Sequence, residues 1–120
     1  MLIKYLKNCK EIIAGDKTIL RELLHGEKEN LELKYSLAHA TLKPNDKSLP
    51  HKLKTSEVYY ILSGEGRMHI DNEVTDIFPE ATVYIPPYST QWIENIGNEN
   101  LIFICIVDPA WKKEDEIVLE

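Results

Sequence analysis

Histidine, carboxylate and amide side chains are the groups of this chain that could do chemistry. His51 is followed six residues later by Glu57, and Gln91 lies in a later apolar segment. A neutral imidazole and a carboxylate bind divalent ions, and an amide oxygen can add a third ligand. Such a mixed nitrogen and oxygen set suits iron, manganese, nickel or zinc without selecting one of them. Three further histidines are present, and they are His25, His39 and His69.

Other kinds of catalysis have no carrier in the sequence. There is no Gly-x-Ser-x-Gly, P-loop or Gly-x-Gly-x-x-Gly pattern. Cys9 has no evident partner, and Cys105 lies in the apolar run 101–107, where a buried reduced thiol is expected. The two cysteines therefore predict no disulfide and favour a reducing, cytoplasmic compartment.

Short strands are the elements that must position these residues. Gly, Pro, Asn and Asp recur at short intervals, and the segments between them are rich in Ile, Val, Leu, Tyr and Thr. This punctuation predicts an antiparallel sandwich or barrel. Only the ends could be helical: residues 2–13 predict a weak helix or an edge strand, and residues 111–116 a solvated turn or one helical turn.

Period-2 alternation assigns the candidate residues to faces of strands. In residues 31–41 the odd positions are mostly apolar, which predicts that His39 faces the interior and could supply a nitrogen ligand. His25, beside Gly26, is expected to be exposed, and His69 lies on a polar face. Within each of two further sets, the side chains are predicted to lie on one face of their strand. The first set is His51, Leu53, Glu57, Tyr59 and Ile61, and the second is Gln91, Ile93 and Asn95.

Length and composition restrict the class of protein. The chain has 120 residues, 43% of them hydrophobic, and a formal net charge of −6. These values predict one globular domain and exclude the class of intrinsically disordered proteins. The acidic balance argues against binding nucleic acid or an anionic membrane, since both need basic surface. The longest apolar run is about a third of the ~20 residues that a membrane helix needs, and Lys4, Lys7 and Lys10 interrupt any signal peptide.

Two stretches resemble the two sequence motifs of the cupin family. In residues 50–66, His51, Glu57 and Gly64 occupy motif positions, and in residues 79–95, Pro86 or Pro87 and Asn95 do so. The resemblance implies a small single-domain cupin, an all-β protein with the double-stranded β-helix jelly-roll barrel. The domain is expected to span residues 1–120, with the barrel core at about 17–108 between N-terminal and C-terminal extensions.

The departures from the motifs concern the metal site. In the family, two histidines and a glutamate of the first motif and one histidine of the second hold the metal. Here Leu53 stands at the second histidine position and Gln91 at the third. The metal candidates are therefore His51 and Glu57, with Gln91 and His39 as replacements. Three further residues are expected to line the pocket, and they are Leu53, Tyr59 and Asn95.

Three functions remain open at this point. The first is an altered divalent-metal site that binds a small polar molecule, sugar-like or carboxylated, as in the dioxygenases, sugar-phosphate isomerases, decarboxylases and lyases of the family. The second is a metal-free module that binds such a molecule. The third is a structural or regulatory dimer without catalysis. Whether the chain is an enzyme is left open.

The apolar run 101–107 predicts a homodimer. It is apolar at every position, so both of its faces need cover. A single small barrel covers one face. A second subunit would cover the other, and burial under a terminal segment is the alternative.

Overall fold

The chain folds almost entirely into β-strands in a computed structural model that describes residues 1–119. Over these residues there are eleven strands, β1 (Glu11–Ile13), β2 (Ile19–His25), β3 (Ser36–Leu42), β4 (His51–Leu53), β5 (Ser56–Ser63), β6 (Gly66–Ile70), β7 (Glu73–Ile77), β8 (Thr82–Ile85), β9 (Thr90–Asn95), β10 (Leu101–Asp108) and β11 (Glu116–Val118). One helical turn, α1 (Gly26–Glu29), and two 3₁₀ turns, Leu6–Asn8 and Lys113–Asp115, complete the described chain. No helix within it is long and apolar enough to cross a membrane.

The strands form two antiparallel sheets. One has six strands in the order β1-β2-β3-β10-β5-β8, and the other has five in the order β11-β4-β9-β6-β7. Strands distant in sequence are neighbours in space, as when β10 pairs with both β3 and β5. The predicted all-β jelly-roll barrel is confirmed.

The hydrophobic core lies between the two sheets. Ile61, Ile93 and Leu101 are fully buried there, packed with Phe103 and Met68. In β10 the odd positions face this core, while Ile102, Ile104 and Ile106 lie half-buried on the outer face of the six-stranded sheet. Both predicted faces of the run 101–107 are therefore apolar.

The expected face of His39 is wrong. The strand starts only at Ser36, and its even positions are the ones that face inward, with Ser36, Ala40 and Leu42 buried. His39 pairs in register with Arg21 and Ile104, so its side chain lies on the outer face. The physical reason is that residues 31–35 precede the strand, so their alternation has no bearing on its faces. Most inward residues of β3 are small, namely Ser36, Ala38 and Ala40, so they give a weak hydropathy pattern.

The two ends of the chain join the sheets at their edges. β1 extends the six-stranded sheet by pairing with β2, so residues 11–13 form the edge strand that was one of the two expectations. β11 follows the 3₁₀ turn Lys113–Asp115 and pairs with β4 across Glu116–Leu53, Ile117–Lys52 and Val118–His51. Cys9 and Cys105 are free thiols, as predicted.

Candidate functional site

A cavity of about 470 Å³ opens inside the barrel. Apolar side chains, among them Leu53, Phe103 and Val107, form much of its wall. Five side chains bring carboxyl or imidazole groups to it, and they are Asp16, Glu22, His51, Glu57 and Glu116. Glu22 pairs with Lys28 at 2.9 Å. A mostly apolar pocket with a few placed polar groups is the usual form of a small-molecule site.

His51 is held in one orientation at the start of β4. Its side chain is 2% exposed, and its Nδ1 lies 2.7 Å from the carbonyl oxygen of Leu49. Since a carbonyl only accepts, Nδ1 carries the hydrogen of this bond. The other ring nitrogen, Nε2, lies 3.6 Å from Oδ2 of Asp16. Beyond about 3.2 Å such a contact is weaker than a hydrogen bond, so Nε2 is left to the cavity.

Asp16 reaches the cavity from a tight turn before β2. Its Oδ1 accepts hydrogen bonds from the backbone nitrogen of Thr18 at 3.1 Å and from its hydroxyl at 2.7 Å. Lys17, between them, adopts a positive φ of 79°. The backbone nitrogen of Leu49 donates to the carbonyl oxygen of Asp16 at 2.7 Å, which ties the turn to the segment before His51.

A chain of two hydrogen bonds links Tyr59, Gln91 and Glu57 beside the cavity. The Tyr59 hydroxyl donates to Oε1 of Gln91 at 3.0 Å, and Nε2 of Gln91 donates to Oε1 of Glu57 at 3.1 Å. The members of this relay come from β5 and β9, which face each other across the barrel. The amide of Gln91 is thereby fixed with its nitrogen toward Glu57.

Burial dominates the electrostatics of the site. It raises the pKa of Glu57 to about 8, against the lowering effect of the Gln91 hydrogen bond and with a further rise from Asp16 and Glu116. Burial likewise raises the pKa of Glu116, where the nearby His51 opposes it and Asp16 adds to it. At neutral pH the Glu57 carboxyl is therefore mostly protonated.

The site residues do not fit a divalent ion. Leu53 places an apolar group at one family ligand position, and the oxygen of Gln91 accepts from the Tyr59 hydroxyl while its nitrogen points to Glu57. Within residues 1–119, no three His, Cys, Asp or Glu side chains are arranged to hold a metal ion.

The structure brings most of the sequence candidates together. Both predicted face assignments are confirmed, since every member of the two sets is buried. His51, Leu53, Glu57 and Tyr59 line the cavity, and Gln91 reaches it through Glu57. Asn95 serves the fold instead, because its amide nitrogen donates to the carbonyl oxygens of Leu42 and Glu99.

The remaining histidines lie elsewhere. His39 is on the outer face, and the pKa of its imidazole is lowered by burial and by the Arg21 charge. His69 stacks on Trp92 with 4.1 Å between ring centroids and contacts Glu94 at 2.9 Å. The expectation that His25 is exposed is wrong: it is 2% exposed, and its Nε2 contacts the carbonyl oxygen of Trp111 at 2.8 Å.

Asp16 and Glu116 are the functional candidates that sequence reasoning missed. Asp16 follows a glycine and has the pattern of a turn residue, and Glu116 belongs to a charged run expected to be solvated. Glu116 packs closely on Gly15, where an added Cβ would lie 2.9 Å from its Oε1. Neither residue belongs to a motif, so no local signal marks them.

Comparison with known protein families identifies the family of this chain. A family model described as a cupin domain matches residues 38–107. The chain belongs to the cupin family. The match covers β3 to β10, the part of the chain that contains His51, Glu57 and Gln91, while Asp16 and Glu116 lie outside it.

Individual relatives of this cupin differ in what their names state. An uncharacterised protein of Methanocaldococcus jannaschii is 44% identical over 114 residues, covering 92% of this chain and 89% of that protein. A glucose-6-phosphate isomerase of Pyrococcus furiosus is 31% identical over 111 residues, covering 81% of this chain and 59% of the isomerase. The crystal structure of a predicted oxalate decarboxylase from Thermotoga maritima superimposes with a TM-score of 0.79 at 22% identity, covering 90% of this chain and 99% of that one. The last likeness concerns the fold alone.

Proposed function

We propose that this cupin binds a small polar molecule in its barrel cavity without the help of a metal ion. The observation that carries the proposal is the relay of Tyr59, Gln91 and Glu57. It uses the amide group of Gln91 within the fold and holds Glu57 as a buried hydrogen-bonded carboxyl group. His51 and Glu57, the two family ligand positions that the sequence retains, are assigned to contacts with the bound molecule.

The charge of the cavity argues against a carboxylated ligand. The carboxyl groups of Asp16 and Glu116 both lie near His51. An anion placed beside them would meet repulsion and lose its hydration. Oxalate and glucose 6-phosphate, the compounds named for the relatives, are both anions, so we do not propose either as the ligand of this chain.

Metal analysis tests the metal-free part of the proposal. Untagged protein, purified and then incubated with iron, manganese, nickel or zinc, is expected to retain less than one equivalent of any of them. The double variant Leu53→His, Gln91→His restores the two missing family ligands and is expected to bind one equivalent. Stoichiometric metal in the unmodified protein would overturn the proposal.

We further propose that the outer face of the six-stranded sheet pairs with a second copy of the chain. Beside the half-buried isoleucines of β10 it carries Tyr60, Leu62 and Tyr84, which are 39%, 45% and 61% exposed. An exposed apolar patch of this kind marks an interaction site in soluble proteins. One chain has a mass of 13.9 kDa. Light scattering at micromolar concentration is expected to give twice that mass. The variant Leu62→Lys is expected to give the monomer mass, and Val74→Lys, on the other sheet, should leave the dimer intact.

A further inference from the structure

Hydrogen-bond acceptors outnumber available donors at the polar end of the cavity. Oδ2 of Asp16, Nε2 of His51 and the carboxyl group of Glu116 all face this space or its edge. Four donors near this end are already used. The Thr18 hydroxyl donates to Asp16, the Tyr59 hydroxyl to Gln91, the Gln91 amide to Glu57, and the Trp111 side chain to Glu116.

His51 is the independent sign that this end is built for a ligand. Its side chain is 98% buried and lines the cavity, yet Nε2 has no hydrogen-bond partner within residues 1–119. Nδ1 bonds to Leu49, and Nε2 lies 3.6 Å from Oδ2 of Asp16, so these two atoms border the same space without a hydrogen bond between them. A ligand with several donors placed there can bond the free oxygen of Asp16 and the carboxyl group of Glu116 together.

The lysines of the lining do not supply that donor. Lys28 pairs with Glu22 at 2.9 Å between Nζ and Oε1, and its side chain is 58% exposed. Lys10 also lines the cavity and is exposed. Both lysines therefore lie at the outer rim of the cavity. Neither of them neutralises the negative charge of the inner carboxyl groups.

We propose that the cavity binds a molecule bearing a protonated primary amine, with its ammonium group between Asp16, His51 and Glu116. This inference rests on the proposed metal-free function and names the class of its ligand. An ammonium group has three donors and a positive charge, so it satisfies several acceptors at once. A neutral hydroxyl offers one donor and leaves the charge of Asp16 unbalanced.

Distances separate this ligand from a metal ion. A transition-metal ion requires its nitrogen and oxygen ligands at about 2.0–2.2 Å. An ammonium nitrogen lies about 2.7–2.9 Å from each acceptor and tolerates a wider and less regular ring of groups. The described residues do not close around a metal, but the space beside Asp16 and His51, whose Oδ2 and Nε2 lie 3.6 Å apart, can hold an ammonium group. Leu53, Phe103 and Val107 then contact the carbon part of the molecule.

Calorimetric titration with three probes of equal carbon length tests the proposal. The probes are n-butylammonium chloride, 1-butanol and sodium butyrate, added to metal-free protein at neutral pH. Butylammonium is expected to bind about tenfold more tightly than butanol, because a charge-assisted hydrogen bond is worth roughly twice a neutral one. Butyrate is expected not to bind.

Two variants and a matched control locate the site. Asp16→Asn keeps an oxygen for Thr18 and removes the charge, and Glu116→Gln does the same at the other side. Each is expected to weaken butylammonium binding by about tenfold, since a close charge pair is lost. Asp76→Asn removes an exposed carboxylate that pairs with Arg67 far along β7 and is expected to change nothing. Thermal unfolding checks that the variants are folded.

The outcomes separate this inference from the proposed function. If butanol or glucose binds as tightly as butylammonium, or if Asp16→Asn leaves ammonium binding unchanged, the ammonium site is overturned and the metal-free cavity stands. If butylammonium does not bind at millimolar concentration, the inference is also overturned. If the protein takes up one equivalent of a divalent metal that blocks the probes, the proposed function itself fails.

Discussion

The barrel interior contains a packed region and an open region, and the same strands build both. The packed region is the part around Ile61, Ile93 and Leu101, all without solvent exposure. The open region is the cavity around Asp16, His51 and Glu57. Strand β5 contributes Ile61 to the first and Glu57 to the second, and β9 contributes Ile93 and Gln91 in the same way.

The difference lies in what satisfies each buried side chain. Every second residue of a strand faces inward, so inward residues further along the same strand can lie in the other region. In the packed region, burial of an aliphatic side chain stabilises the fold by about 1.5–3 kcal/mol. In the open region a buried polar group costs free energy unless it is hydrogen-bonded, and the relay of Tyr59, Gln91 and Glu57 limits that cost. The packed region therefore stabilises the fold. The open region lowers the free energy of unfolding but provides the polar groups that can contact a ligand.

Truncation in the packed region is expected to have the largest effect on stability. Ile61→Ala leaves a cavity among close-packed side chains and is expected to lower the free energy of unfolding by about 2–5 kcal/mol. Urea denaturation measures this. Ile117→Ala, at a site 59% exposed, is the control and should change little. Equal losses for the two variants would contradict the assignment of the packed region.

Breaking the relay is expected to cost less. Gln91→Leu leaves the Tyr59 hydroxyl and Oε1 of Glu57 without partners and should lower the free energy of unfolding by about 1–3 kcal/mol. The double variant Tyr59→Phe, Gln91→Leu removes one of the stranded groups. We expect it to be more stable than the sum of the two single losses predicts, and strict additivity would show that the relay is absent in solution.

The pH dependence of stability is expected to carry the signature of Glu57. Its pKa rises from 4.5 in the unfolded chain to about 8 in the folded protein, so the folded state retains a proton between these values that the unfolded state has released. Stability contributed by this group should therefore fall as pH rises, by at most about 1.4 kcal/mol per pH unit. Below the lower pKa and above the higher one the two states bind equal numbers of protons, and the slope vanishes.

The variant Glu57→Gln isolates this contribution. It keeps an acceptor for Gln91 and has no proton to release, so its stability should fall less steeply between about pH 5 and pH 8. Thermal unfolding at several pH values compares the two proteins. Parallel curves would mean that Glu57 is ionised in the folded protein, and the open region would then be more hydrated than its burial indicates.

The smallest expected effect is that of the Tyr59 hydroxyl alone. Tyr59→Phe keeps the ring contact with Phe103, at 4.6 Å between centroids, and removes one hydrogen bond to Gln91. The loss should be about 0.5–1.5 kcal/mol. A much larger loss would indicate that the ring, rather than the hydroxyl, had moved.

The faces of β4, β5 and β9 could be predicted because strand geometry has a strict period of two. Once His51 and Glu57 matched a motif, the pleat determined which neighbours share their face. The same rule failed for His39, because the count began in residues 31–35, outside the strand. A periodic rule holds only inside an element, and the start of an element is the least certain feature of a sequence pattern.

The sequence by itself determined the fold family, the inward face of the motif strands and the loss of two family metal ligands at Leu53 and Gln91. The tertiary structure decided the chemistry of the cavity. Asp16 comes from a turn near one end of the chain and Glu116 from a strand near the other. The pairing of β11 with β4 brings Glu116 to the cavity, and the hydrogen bond from the Leu49 nitrogen to the Asp16 carbonyl oxygen brings Asp16 to His51. Local patterns record period and composition, whereas a binding site depends on distances between groups that lie far apart in the chain.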